Sequence, residues 1–412
     1  MQQRNKRVIV VGGGPAGMLA AAQASQRGCD TVLIDKNEKL GKKLFITGKG
    51  RCNVTNACDI EDFLNNIVHN KSFCYSAVYS FTAEDTRALI ENMGVPLKTE
   101  RGNRVFPVSD KSSDIIKALE KNLKSSGVRV MLNTRLDEII VANGAVTGIK
   151  CDARLMACDA LILALGGASY ASTGSDGAWR QKLEGLGHTV KDFRPALVPL
   201  TSSEKWVHEL QGLSLKNVRL KATYKNRVIF DELGEMLFTH FGISGPLVLT
   251  LSSVINGQEF KELTVSIDLK PALSESVLDE RILRDFKEMG SKTLKNACAR
   301  LLPARLINAV LENAKLDGEE SVSNFSQEKR KRLLKTLKGL EVRVDGFRSL
   351  NEAIITRGGI DTKEINPSTL ESKITNGIYF SGEMIDIDAF TGGFNIQLAL
   401  STGYLAGNAA AE

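Results

Sequence analysis

The sequence predicts an α/β fold: a discontinuous Rossmann-type dinucleotide-binding domain built from the two ends of the chain, with a β domain and a helical subdomain inserted between them. Three observations point there. An apolar strand, Val8 to Val11, runs straight into Gly12-x-Gly14-x-x-Gly17 and a helix. From about Pro195 the strand and helix alternation gives way to short alternating runs and then to leucine-rich helical spacing. After Leu340 strand and turn signals return, and the chain finishes in an alanine-rich helix.

RVIVVGGGPAGMLAAAQASQRGCDTVLIDK reads as strand, glycine turn, helix and strand, a βαβ start within about 30 residues. Gly12 allows the tight turn, Gly14 lets the backbone approach a pyrophosphate, and Gly17 permits close helix packing. Pro15 and Ala16 lie in the same motif and open a helix whose N-terminus favours phosphate charge. Asp35 closes the second strand, 18 residues after Gly17, where an acid accepts hydrogen bonds from ribose hydroxyls; Lys36 follows it. Further strands are expected at VRVMLNT, AVTGIKC and LILALGG, with a helix over Ser112 to Ser125. LILALGG ends in Gly166 and Gly167, which suits close passage past a dinucleotide.

VRLKATY, RVIFDELGEMLFTH and LTVSIDL alternate with period two and predict antiparallel strands. The expected partition is a dinucleotide domain over 1–194 and 346–412, a β insert over 195–271 and 340–345, and a helical subdomain over 272–339. In the returning segment, GIYFSGEMID supplies a strand ending in Gly382-Glu383, and TGGFNIQLALSTGYLAG starts a helix at Gly392-Gly393. The fingerprint alone does not separate FAD from NAD, since both carry the ADP half. The C-terminal strand and helix point to a flavin, with N–H groups at Gly393 and Phe394 facing the N1/O2 edge where charge accumulates on reduction.

At 412 residues, 42% apolar and 25% charged, the chain has the composition of a folded globular protein of two or three domains. The N-terminus lacks a signal-peptide apolar region and no stretch is long enough to span a bilayer, so a cytoplasmic location and no membrane partner are expected. Seven scattered cysteines without a CxxC pair read as reduced thiols, and four histidines without ligand spacing predict no metal site. The net charge of +6 is concentrated: Pro271 to Leu340 holds fourteen basic against ten acidic residues, densest at Lys329-Arg330-Lys331-Arg332. That segment has only two aromatics, Phe286 and Phe325, whereas single-stranded RNA readers add stacking platforms to their charge. A solvated helical face is the favoured reading.

GKKLFITGKGRCNVTNA, GNRVFPVSDKSSDI, LGGASYASTGSDG, RPALVPL, LFTHFGISGP, STLESK and YFSGEMIDIDAFTGGFNIQLALSTGYLAG together resemble the YhiN-like family of bacterial flavoproteins, in the family's order over nearly the whole chain. The resemblance implies an FAD domain carrying a β-barrel-like insert and a helical insert. It also implies that Lys43, Arg51, Cys52, Asn53 and Thr55 line the flavin, with Asp386, Gly392, Gly393, Phe394 and Asn395 around its ribityl and ring. The family's glycine-aspartate-glycine after TGS is replaced here by SDGAW, so Asp176 receives no role.

Members of that family are associated with reducing a C=C bond conjugated to a carbonyl, in 3-oxo-Δ4 or Δ4,6 steroid (bile) acids or in a ribosomal RNA uracil; an aminoacetone-oxidase label also circulates. The first two need a hydride from reduced FAD, a donor to polarise the carbonyl and an acid for the α-carbon. NAD(P)H is the expected electron donor, although no second fingerprint marks a nicotinamide domain. Candidate donors are His240, Tyr170 and Cys52, each with a structural alternative: a strand-end hydrogen bond, a packing aromatic and a small buried thiol. A small-molecule enone is the expected partner, with ribosomal RNA as the alternative and a non-catalytic flavin module as a third.

Overall fold

The computed structural model describes residues 5–412. It divides into two compact units, Met1–Ala196 with Leu350–Glu412, and Leu197–Ser349. In the first, β1 (Arg7–Val11) runs into α1 (Pro15–Gln26) and returns as β2 (Asp30–Ile34). Then β3 (Ile67–His69), α2 (Ser112–Ser125), β4 (Arg129–Met131) and β5 (Ala160–Leu163) follow. After the chain returns, β6 (Ile355–Arg357), β7 (Ile378–Phe380), β8 (Asp388–Ala389) and α3 (Phe394–Ala411) complete the unit.

Five of these strands form a parallel sheet in the order β7-β5-β1-β2-β4. Val8, Ile9 and Val10 at its centre are wholly buried, as expected of a strand covered on both faces. The fold is therefore the Rossmann-type α/β arrangement read from the sequence. The strand order reverses at β1, which pairs with β2 on one side and β5 on the other, and such a switch point opens a crevice at the strands' carboxyl ends.

α1 starts at Pro15, where no helix N–H is needed, with Gly14 extended before it. Its alanines are buried nearly all round because α3 packs against it as closely as backbones permit. A Cβ at Gly403 would lie 2.2 Å from the Ala16 carbonyl oxygen, and one at Gly407 would lie 2.4 Å from that of Ala20. The small residues of the C-terminal helix are thus a packing requirement.

AVTGIKC is a strand, but not of the parallel sheet. Leu136–Ala142, Ala145–Cys151 and Arg154–Ala157 make a separate antiparallel sheet. Its turns, Asn143-Gly144 and Asp152-Ala153, hold both central residues at positive φ, the backbone of a two-residue hairpin. Asn-Gly between two apolar runs was the signal.

The second unit is built on a seven-stranded sheet whose long hairpin, Ser214–Tyr224 with Arg227–Thr239, alternates buried and exposed residues. The helices Glu275–Met289, Ala304–Asn313 and Gln327–Lys338 belong to the same unit. Ser274 and Ser326 cap two of them, each accepting a first-turn N–H. One hydrophobic cluster joins Leu220, Val265 and Ile267 of the strands to Leu278, Ile282, Leu306, Leu333 and Leu337 of the helices, so strands and helices share a core. No helix among the described residues is long and apolar enough to cross a membrane.

Candidate cofactor and active site

The loops that carry the expected first-unit residues leave the carboxyl ends of β1, β2, β5 and β7, so residues far apart in sequence converge at one edge of the sheet. In the first loop the glycines divide their work by space. A Cβ at Gly12, held at φ +111, would fall 2.3 Å from the Ala164 carbonyl oxygen, and one at Gly17 would fall 1.9 Å from the Gly12 carbonyl oxygen. At Gly14 nothing lies within 4 Å. Gly12 and Gly17 are thus required by the protein's own packing, whereas Gly14 borders open space. That is the cradle a dinucleotide pyrophosphate needs, beside first-turn N–H groups at Ala16 and Gly17 that have no helix carbonyl to bond.

Asp35 stands just past β2 and is oriented by two backbone donors: the Gly13 N–H donates to Oδ2 at 2.6 Å and the Asn37 N–H to Oδ1 at 2.7 Å. Lys36 pairs with Asp176 at 2.6 Å, and Asn37 donates to the Thr173 carbonyl, which ties the loop after β2 to the loop after β5. Asp176, left without a role by the sequence, is therefore the counterion of Lys36. Gly166, at φ +74, opens the second of these loops, and Tyr170 sits further along it at φ +54, partly buried.

Lys43 anchors a polar network. Its ammonium donates to Ser169 Oγ at 2.7 Å and to both Glu383 oxygens at 2.7 and 2.9 Å. Glu383 accepts the Thr356 N–H at 2.8 Å, and Thr356 Oγ1 accepts the N–H groups of Ala168 and Ser169. Four separate segments are cross-braced by these groups. Gly382 donates its N–H to Thr402 of α3.

Several of the expected cofactor residues also bond other parts of the protein. The Arg51 guanidinium pairs with Glu100 and with Asp110 at 2.7 Å and lies 4.2 Å from the Phe106 ring centroid. Asn53 accepts the Val105 N–H, and Thr55 donates to Gln397 of α3 at 2.6 Å. Asn395 clamps the backbone of Ala389, accepting its N–H at 2.9 Å and donating to its carbonyl at 2.7 Å. Asp386 accepts from the Gly358 N–H and the Asn70 amide.

Cys52 is 0% exposed, and burial pushes its thiol up to about 12. Its Sγ is enclosed by protein atoms, which makes Cys52 a packing residue of this region in the structure.

The start of α3 is set by its two glycines. Gly392 and Gly393 hold φ +127 and +98, and a Cβ at Gly393 would strike the Thr55 carbonyl oxygen at 2.3 Å. Phe394 meets Phe63 edge to face. The N–H groups of the first turn of α3 have no helix carbonyl to bond, so this terminus offers donors and a positive dipole end. His240 belongs to the second unit, exposed in the turn between Arg227–Thr239 and Gly242–Ser244, with its ring against Phe241 at 4.9 Å.

Four groups went unnoticed in the sequence: Thr356, His69, Arg357 and Asp388. MIDID alternates with period two, which was the available sign that Asp386 and Asp388 share a face. The other three carry no local signal.

Residues 6–409 match the family described as HI0933-like protein Rossmann domain. A relative from Clostridium scindens named 3-dehydro-bile acid delta(4,6)-reductase is 30% identical over 98% of this chain and 99% of its own length. One from Escherichia coli named ribosomal RNA dihydrouridine synthase is 32% identical over 96% of each. Among solved structures, a 3-ketosteroid-delta4-(5alpha)-dehydrogenase from Rhodococcus jostii RHA1 has a TM-score of 0.52 at 14% identity, covering 100% of this chain and 98% of that one, a likeness of fold. The resemblance read from the sequence holds along the whole chain, which belongs to the HI0933-like Rossmann family.

Proposed function

We propose that this FAD-dependent oxidoreductase reduces a carbon–carbon double bond conjugated to a carbonyl in a small molecule, a 3-oxo-Δ4 or Δ4,6 steroid acid being the model substrate. The observation that carries the flavin part is the pairing of open space at Gly14 before α1 with a second glycine-started helix, α3, that packs on α1. In this reading the Gly14 loop and the first turn of α1 hold the diphosphate, Asp35 accepts from the ribose, and the first-turn N–H groups of α3 meet the ring's N1/O2 edge. The Lys43–Glu383–Ser169–Thr356 network fixes the loops between them. Arg51, Asn53 and Asn395 support the site by bracing its walls.

Bound FAD supplies the hydride, and NAD(P)H is the proposed source of electrons. The chain supplies position and protons. Tyr170, on the loop after β5, is the proposed donor that polarises the substrate carbonyl.

The two relatives described above are named as a bile-acid delta(4,6)-reductase and as a synthase of dihydrouridine, and reduction of a C=C bond is the chemistry the proposal takes from both. Charge in the second unit favours the smaller substrate. In the basic cluster, Lys329 pairs with Glu320, Arg330 with Asp279, and Arg332 donates to the Lys315 carbonyl. Two of the four cluster charges are thus neutralised within the protein, which reduces the number available to release counterions from RNA. The proposal is tested by extracting the chromophore of the purified protein and assaying NAD(P)H oxidation with a 3-oxo-Δ4 steroid acid. FAD near one per chain and enone-dependent oxidation are expected. Absence of flavin, or oxidation that ignores the enone, would overturn it.

A further inference from the structure

Asp388 on β8 is 1% exposed, yet neither of its carboxyl oxygens has a hydrogen-bond partner. Buried carboxylates ordinarily collect donors, as Asp386 does two residues earlier. The groups that face Asp388 come from every element around it. β3 places His69 opposite it in the antiparallel pair. Arg357 on β6 donates to His69 Nε2 at 2.9 Å, which makes that nitrogen an acceptor and the ring neutral. Cys74 adds a buried thiol, pushed up to about 12 by burial and secondarily by Asp388. α3 carries no charged side chain between Phe394 and Ala411, and its one tyrosine, Tyr404, stacks on Phe81.

The charges near Asp388 are therefore Arg357 and Asp386, of opposite sign. Burial, with Asp386 adding to it and Arg357 opposing, lifts the Asp388 carboxyl to about 7. The next residue, Ala389, is clamped by Asn395 in the first turn of α3, so Asp388 is tied to the helix start assigned to the flavin ring.

We propose that Asp388 is the proton-linked residue of the flavin site, binding a proton when reduction leaves negative charge at the start of α3 and releasing it when that charge departs. This rests on the flavin reading above. Two-electron reduction by a reduced nicotinamide delivers two electrons and one proton as hydride, which leaves one negative charge. A second proton, taken from solvent, forms the O–H of Asp388, and the charge of the site is unchanged. On reoxidation that proton returns to solvent. Asp388 is thus a positioning residue for charge, acting through the field at α3.

The test is a spectroelectrochemical titration of the FAD-loaded protein and its Asp388→Asn variant. Above about pH 7 the variant's midpoint potential should fall less steeply with pH, by about 30 mV per pH unit, the equivalent of one proton per two electrons. Equal slopes would overturn the assignment of Asp388 while leaving the flavin reading intact. A protein that binds no FAD would overturn both. Should the variant fail to fold, the reduced-minus-oxidised infrared spectrum of the wild type at about pH 8 decides. A protonated carboxyl band appearing on reduction is expected, and its absence would contradict the proposal.

Discussion

A methyl group added at Gly14 projects into open space, whereas one added at Gly17 meets a backbone oxygen at 1.9 Å. Gly14 also has φ −79, which any residue adopts. Gly14→Ala should therefore leave stability within about 0.5 kcal/mol of wild type while weakening FAD binding at least about tenfold, read by melting and by flavin titration. Gly17→Ala should cost about 3 kcal/mol of stability whether or not FAD is present. For Tyr170→Phe the expected result is a kcat lower by about 10²-fold with unchanged FAD content; full turnover would remove Tyr170 from the donor role. Asp388 predicts a pH signature in the fold itself. Its folded pKa, about 7, lies above the ordinary 3.8. The associated stability is complete below about pH 4 and lost as pH rises through about 7. Asp388→Asn should remove that loss, raising stability at about pH 8 by at most ~4 kcal/mol and leaving it little changed at low pH. Equal melting shifts at both pH values would contradict a titrating Asp388. The glycines were legible in the sequence because each has a local steric cause. Asp388 was not, since its environment comes from His69 and Arg357, strands that only the fold brings beside it.

The pairing of α1 with α3 joins the two ends of the chain. Because Gly403 and Gly407 bring α3 onto the backbone of Ala16 and Ala20, a bulky residue at either position must separate the helices. Gly407→Val is expected to lower stability by about 1–3 kcal/mol and to weaken FAD binding as well, since both glycine-started helices shift. A loss of stability without loss of affinity would show that α3 contributes nothing to the cofactor site. The βαβ start and the C-terminal helix were readable because motif and periodicity are local. The commitment of Arg51 to Glu100 and Asp110 was not, because nothing in GKGRCNVTN indicates which carboxylates the fold brings to it. The sheet to which the AVTGIKC strand belongs was not readable for a similar reason. Strand propensity does not specify a partner, although Asn143-Gly144 did.

Across the whole molecule, the net charge of +6 suggested a nucleic-acid partner more strongly than the arrangement of the charges does. With Lys329 and Arg330 paired to Glu320 and Asp279, binding to ribosomal RNA should be weak and only shallowly dependent on salt. A steep salt slope in filter binding would restore the RNA reading. The most direct test of the proposed chemistry is rapid anaerobic mixing of the FAD-reduced protein with a 3-oxo-Δ4 steroid acid and, in parallel, with ribosomal RNA. Fast reoxidation of the flavin by the enone, with none by RNA, is the predicted result; reoxidation by RNA with none by the enone would contradict it.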